Sequence, residues 1–308
     1  MKTAREQAQA IMKEKSTKAE KREKLLKIGL TETDIQNLFF TERMVARQEL
    51  KAAAADRARQ QLLASYTFGV EIECCNARPN IIGIIASRHG LDFRHEAYNH
   101  NDNRSHYKLV PDSSIHGNDP IECVSPILKN GKQGFDSLKA CCSTLTEAGA
   151  RVNRSTGLHV HIGGNISERQ YCNVFANYYH LEAVVDSFMA PSRRSGNHYC
   201  KPLHGNISES ELTAATTARD ICNVFGGDRY YKINATAWSR HHTIEFRQHQ
   251  GSTNYDKIAA WSRFCIKLVH WSAENRLTAP VASINEIEFL TAEEKAYFSS
   301  RSQALAAL

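Results

Sequence analysis

The sequence predicts an α+β fold, and three observations carry that expectation. Apolar residues fall at every second position in the stretches 66–74, 157–163 and 243–248, as on strands with one core face and one polar face. Helical stretches separate these and further strands in no regular alternation, which favours α+β over a doubly wound parallel sheet. Residues 1–64 differ in kind: rich in Ala, Lys, Glu, Gln and Arg, without Pro and with one Gly at Gly29, they read as helix.

The expected organisation is a helical arm over residues 1–64 followed by a main domain over 65–308. In the arm a charged helix runs to about Lys27 and stops at Gly29. Thr31-Glu32-Thr33-Asp34 is a capping-box pattern that opens a second helix toward Leu62. The arm offers no His or Cys for catalysis, so packing on the main domain or self-association with another copy is its expected use. In the main domain strands are expected at 66–74, 108–111, 121–128, 157–163, 231–235 and 243–248. Helices are expected at 81–89, 134–148, 167–189, 209–222 and 256–271, with Ser167 as an N-cap and Tyr171, Val174, Phe175 and Tyr178 as an apolar stripe.

A chain of 308 residues buries a full core, and its 42% hydrophobic content is that of an ordinary globular protein. The formal charge of +6 is too modest to imply nucleic acid, and the basic run 13–27 reads as a solvated helix face. Nine cysteines, an odd number without C-x-x-C spacing, combine with the lack of an apolar signal segment to suggest a reducing compartment, the cytoplasm. No apolar run approaches bilayer length, so no membrane partner is expected.

Three strands repeat one device: Glu71-Ile72-Glu73, His159-Val160-His161 and Glu245-Phe246-Arg247 place ionic side chains two residues apart between apolar neighbours. Phe68, Val70 and Ile72 oppose both carboxylates of the first, and Ile244 and Phe246 oppose Glu245, Arg247 and His249 of the third. Adjacent carboxylates repel unless a cation lies between them or one is protonated. Oxygen ligands suit Mg²⁺, and Mn²⁺ also accepts imidazole. Arg247, held by a carboxylate, can present two donors to a phosphate. Arg229, Lys232 and Asn234 lie just upstream for phosphate or carboxylate contacts, and Glu122 is a further candidate metal carboxylate. Arg193, Arg194, His198 and Tyr199 occupy a Pro/Ser/Gly-bounded loop suited to holding a substrate. Neither common glycine-rich nucleotide loop is present.

The ordered set Phe-Gly-Val-Glu-Ile-Glu (68–73), Asp112-Ser113-Ser114, Ile-Glu-Cys-Val-Ser-Pro-Ile-Leu (121–128), Val152-Asn153 with Thr-Gly-Leu-His-Val-His-Ile (156–162), Arg-Tyr-Tyr-Lys-Ile-Asn (229–234) and Thr-Ile-Glu-Phe-Arg-Gln-His (243–249) resembles the amidoligase family over roughly residues 66–272. That family looks like a branch of the glutamine synthetase and glutamate-cysteine ligase superfamily of carboxylate-amine ligases. The resemblance implies a curved antiparallel sheet with flanking helices, whose concave face binds ATP and two or three divalent ions, Mg²⁺ or Mn²⁺. It implies that Glu71, His159 and Glu245 hold one metal and that Glu73 and Glu122 hold another. Arg247 would stabilise the transferring phosphoryl group, Asp112 or His249 would be the general base, and His161 would line the substrate or nucleotide pocket. The implied reaction joins a carboxylate and an amine, from an amino acid, peptide or protein, through an acyl phosphate. The better-known enzymes of the superfamily carry further glutamates on these strands, for which only Glu122 is an evident counterpart here.

Two other readings fit parts of the pattern. His159, His161 and a glutamate could hold Zn²⁺ for hydrolysis, though H-E-x-x-H is absent. A phage-type or structural assembly protein could retain these residues as a relic, against which the intact set of acidic, imidazole and guanidinium positions speaks.

Overall fold

In the computed structural model, which describes residues 3–97, 99 and 105–307, the chain divides into two compact units, Met1–Gln61 and Leu62–Leu308. The first contains α1 (Ala4–Met12), α2 (Lys18–Lys27) and most of α3 (Glu32–Ser65). The single helix expected up to Lys27 is therefore two, because Thr17 and Glu20 form a capping box that starts α2 afresh. The pattern at Thr31 behaves as expected: the Asp34 N–H donates to Thr31 Oγ1 at 3.2 Å and the Thr31 N–H to Asp34 Oδ2 at 3.0 Å. Ala8, Leu25 and Ile35 form a small core of this unit.

The second unit opens with β1 (Thr67–Cys74), α4 (Pro79–Arg88), β2 (Phe93–His95), β3 (Tyr107–Val110), β4 (Ile121–Val124), β5 (Leu128–Lys129) and α5 (Lys132–Glu147). It continues with β6 (Gly157–Gly163), α6 (Glu168–Ser187), α7 (Glu209–Ala214), α8 (Ala218–Val224), β7 (Ile233–Asn234), α9 (Ala237–His241), β8 (Ile244–Gln250), α10 (Tyr255–Trp271) and α11 (Ala292–Ala306). The described strands form one open sheet in the order β2-β3-β4-β1-β6-β8-β7, with β5 on β1, and only β2 and β3 pair in parallel. The mixed class is the α+β expected, with the sheet almost wholly antiparallel.

Several boundaries depart from the sequence reading for local reasons. The strand expected over 121–128 divides into β4 and β5, where Pro126 lacks a donor and Ser125 Oγ accepts the Val70 N–H at 2.9 Å. The helix expected over 209–222 is α7 and α8, separated by a capping box of Thr217 and Asp220. β2, α9 and α11 were not expected, being short or carrying weak apolar periodicity.

One sheet face meets the helices. Phe68, Val70, Ile72, Leu158, Val160, Ile162, Ile244 and Phe246 are all buried in a core shared with Tyr171, Phe175, Tyr178, Trp261 and Phe264 of α6 and α10. Phe246 lies 5.6 Å from the Tyr178 ring and 6.3 Å from Trp261, and Phe68 stacks on Phe135 of α5 at 4.8 Å. The alternation read from the sequence thus commits the odd-numbered residues of β1 to the opposite, ionic face. Among the described residues no helix is long and apolar enough to cross a membrane.

Candidate active site

Directly paired residues of neighbouring antiparallel strands share a face, so the register builds the site. Glu73 pairs with Glu122, Glu71 with His159, and Glu245 with both His161 and Asn234. These side chains converge on a cleft of about 890 Å³ whose lining includes Glu71, Glu73, Asp112, Glu122, His159, His161, Arg193, Tyr199, Arg229 and Arg247. Glu245 lies beneath that lining, with one carboxylate oxygen accepting from the Arg247 guanidinium and the other from the Asn234 amide. Gly157 carries no side chain where three groups meet. A Cβ there would stand 3.2 Å from both Arg193 Nη2 and His159 Nε2, and 3.5 Å from Glu73 Oε2.

Among the described residues, three overlapping sets of side chains bring one ligand atom each to within 4.8 Å of one another: Glu71, His161 and Glu245; Glu71, Glu122 and His159; Glu73, Asp112 and Glu122. His159 keeps its place in the expected set, with Nδ1 3.7 Å from Glu245 Oε1, and also reaches Glu122, while His161 joins Glu71 and Glu245. Asp112 supplies the further carboxylate that the sequence reading found wanting beside Glu73 and Glu122. His159 Nδ1 is 2.9 Å from Glu71 Oε2. His161 Nδ1 is anchored on Thr243 Oγ1 at 3.0 Å, which turns Nε2 toward Glu71 Oε1 at 3.2 Å and Glu245 Oε1 at 3.9 Å. That buried Nε2 makes no hydrogen bond of proper geometry. An imidazole fixed through one nitrogen with the other aimed at carboxylates is the arrangement metal ligands adopt.

The electrostatics fit a cation. Burial, followed by the charges of Glu71, Glu73 and Asp112, pushes the Glu122 carboxyl well above the usual carboxylate range. Against the cost of burial, His161 and His159 hold Glu71 well below that range. Against the same cost, Arg247 and His161 bring Glu245 to about 2. The imidazoles and Arg247 thus compensate the Glu71 and Glu245 end, and Glu122 is left among like charges that a divalent ion would relieve.

His249 does not join this face. Between Leu158 and Val160 the register of β6 on β8 shifts, with Leu158 opposite His249 and Val160 opposite Phe246. The extra residue in β8 is a bulge that reverses the alternation after Gln248, which still faces Tyr178. His249 therefore packs 5.9 Å from the Trp261 ring, where burial, followed by the charge of Arg301, lowers it to about 3. A general-base role for it is corrected accordingly.

Lys232 is likewise placed elsewhere. It is fully buried, with Nζ 2.7 Å from Asp186 Oδ1 and 2.9 Å from Glu182 Oε1, outside the cleft lining, so phosphate contact by this side chain is corrected to an internal ionic cluster. Glu182 also accepts the Leu203 and His204 N–H groups at 2.7 and 2.8 Å, which ties the loop after α6 to β7. Lys232→Met would leave both carboxylates without a countercharge, so unfolding in urea should report a loss of about 3–5 kcal/mol. A loss under ~1 kcal/mol would contradict that role.

Asn234 reaches the site only through Glu245. Of the loop residues, Arg193 is buried and donates to the Arg247 and Gln248 carbonyls while lining the cleft. Arg194 instead donates to the Met189 carbonyl and lies outside the lining, as does His198, whose ring sits 5.5 Å from Tyr230. Asn99, Lys108, Ser155, Tyr230, His241 and His242 also line the cleft without having been singled out in the sequence. For Lys108 a signal existed: it alternates with the core residue Leu109 on a short strand.

Comparison with curated proteins gives no match. A family described as "putative amidoligase enzyme" matches residues 64–269, more than half of the chain and all of the strands described above. The chain belongs to this amidoligase family.

Proposed function

We propose that the chain is an ATP-dependent carboxylate-amine ligase that forms an amide bond through an acyl phosphate. The observation that carries this reading is the run of three overlapping carboxylate and imidazole sets beside a carboxylate-anchored arginine, on the sheet face opposite the core. Five carboxylates with two imidazoles suit hard divalent ions, Mg²⁺ or Mn²⁺, better than the nitrogen- and sulfur-rich sets that zinc favours. The residues that would hold the ions are Glu71, His161 and Glu245 at one end and Glu73 and Glu122 at the other, with His159 between them. Such ions, when bound, supply neutralising charge to the transferring phosphoryl oxygens and to the carbonyl under attack.

The chain's own groups account for the remaining requirements. Arg247 is pinned by Glu245 through Nη1 and lines the cleft, where its guanidinium would face a phosphoryl oxygen. In the first step a substrate carboxylate oxygen bonds to the terminal phosphorus of ATP and ADP leaves. In the second the amine nitrogen bonds to the acyl carbon, phosphate leaves, and the amine proton passes to a base. Asp112 is the base we assign: it lines the cleft on the loop after β3, and its Oδ1 is fixed by the Ser114 N–H and hydroxyl, each at 2.7 Å.

Hydroxylamine tests the reading because it replaces the amine and converts an acyl phosphate to a hydroxamate. With ATP, Mg²⁺ and a panel of amino acids and peptides, hydroxamate and ADP are expected in equal amounts. Amide hydrolysis without ATP, by protein that retains zinc through purification, would overturn it.

A further inference from the structure

Beyond His161 the polar face of the sheet is nearly bare. Gly69 of β1 lies directly opposite His161, the next residue on that face of β6 is Gly163, and Gly164 follows, all three lining the cleft. Two of these glycines are explained by the fold. A Cβ on Gly163 would stand 3.0 Å from Thr67 Oγ1 and 3.4 Å from Thr243 Cγ2, and Gly164 has a φ of +141° with Tyr66 Cδ1 3.1 Å from where its Cβ would lie. Gly69 is not explained in this way. Its φ is outside the left-handed region, its strand pairs with β6 in unbroken register from Thr67 to Ile72, and a Cβ there would meet Ser125 Oγ at 3.7 Å and His161 Cβ at 4.0 Å, ordinary van der Waals contacts. A glycine inside a central strand weakens it, and where neither a bulge nor a bend requires one it leaves the backbone clear for a close approach from outside the chain.

The sheet order sets walls on both sides of this bare floor. On the β1 side Ser125-Pro126-Ile127 runs between β4 and β5, both partners of β1, and Ser125 Oγ accepts the Val70 N–H and donates to the Pro126 carbonyl, each at 2.9 Å. Ile127 lines the cleft and is 46% exposed. On the β6 side stand His241 and His242, on the segment leading into β8, with the His241 ring 6.1 Å from that of His161. We infer that this end of the cleft is the nucleobase subsite, where the purine of the nucleotide lies flat over Gly69 between the Ile127 side chain and the His242 imidazole. Bases stack on apolar and aromatic side chains alike, and a floor of bare backbone lets a flat ring settle against the sheet. His161, directly opposite Gly69, belongs to the set with Glu71 and Glu245, so phosphates leading away from the base run toward the proposed ions. The inference rests on the ATP-dependent reading for the identity of the ligand and adds the place of its base.

ATP and tripolyphosphate, which lacks a base, are titrated calorimetrically with Mg²⁺ into the whole chain. Gly69→Ala adds a methyl group to the floor without a clash and should hold or raise the urea midpoint, since Ala orders more readily than Gly in a strand. It should weaken ATP by about tenfold or more, the scale of a methylene in a fitted pocket, and leave tripolyphosphate unchanged. Ile127→Ala removes an exposed wall at little cost to the fold and should repeat that pattern. Should Gly69→Ala lower the urea midpoint, the two affinities of Ile127→Ala decide alone. Unchanged ATP affinity in the deciding variant, equal losses for ATP and tripolyphosphate, or no binding of ATP to the wild-type chain would overturn the subsite. A chain that binds ATP in this base-dependent way yet forms no hydroxamate would sink the ligase reading and leave the subsite standing. Hydroxamate formation together with undiminished ATP affinity in Gly69→Ala would do the reverse.

Discussion

Replacing Glu71 by Gln is expected to remove Mg²⁺-dependent ATP turnover, by more than about 100-fold, while the fold persists. Glu71, like Glu122, belongs to two of the three ligand sets, so its loss disables both together. Changes one shell beyond a metal typically cost about 10–100-fold, and a direct, shared ligand should exceed that. The amide keeps the side chain's volume and an acceptor for His159, so packing of this largely buried position is preserved. It also withdraws one of the charges that press on Glu122, the largest after burial itself. Two measurements separate the effects: Mn²⁺ binding followed by electron paramagnetic resonance should lose stoichiometry, and urea unfolding should move little. Wild-type turnover with unchanged Mn²⁺ stoichiometry would remove Glu71 from the proposed site.

What the sequence disclosed follows from what alternation can carry. On β1, β6 and the first half of β8 the period-two pattern places Glu71, Glu73, His159, His161, Glu245 and Arg247 on one face, because apolar neighbours must go to the core. Alternation fails at a bulge, and nothing in Arg247-Gln248-His249-Gln250 marks one, since all four residues are polar. Gln248 and His249 each find partners on the helical side, in Tyr178 and Trp261. Lys232 was misplaced for a different reason. Its partners Glu182 and Asp186 lie one turn apart on α6, about fifty positions upstream, and only the tertiary fold brings them beneath β7. Arg193 and Arg194 are adjacent and chemically alike, yet one lines the cleft and the other ties down a backbone carbonyl. That distinction belongs to a single 3-10 turn, at Pro191–Arg193, whose direction the sequence does not encode in any periodic signal.

Arg247→Gln should be the more costly change for the chemical step, lowering kcat by about 10³-fold or more, the scale associated with an arginine that stabilises a transferring phosphoryl group. Arg247→Lys should rescue little, because an ammonium cannot hold Glu245 and a phosphoryl oxygen at once with the spacing of a guanidinium fork. The same substitution carries a stability signature that a purely catalytic residue would lack. In the metal-free protein Arg247 is the foremost influence holding Glu245 at about 2, against burial, from an ordinary 4.5. A carboxyl depressed in this way stabilises the fold above its unfolded value and loses that contribution as pH falls toward its folded value. The wild-type chain should therefore exceed Arg247→Gln in stability most clearly at neutral pH. The gap should narrow as pH drops from about 5 toward 2, because the wild type then loses what the variant already lacks. A deficit independent of pH over that interval would mean that the Arg247–Glu245 pair does not set the ionisation of Glu245. Wild-type kcat in Arg247→Gln would separate the arginine from phosphoryl transfer, leaving it only the task of holding Glu245 where His161 and Glu71 converge.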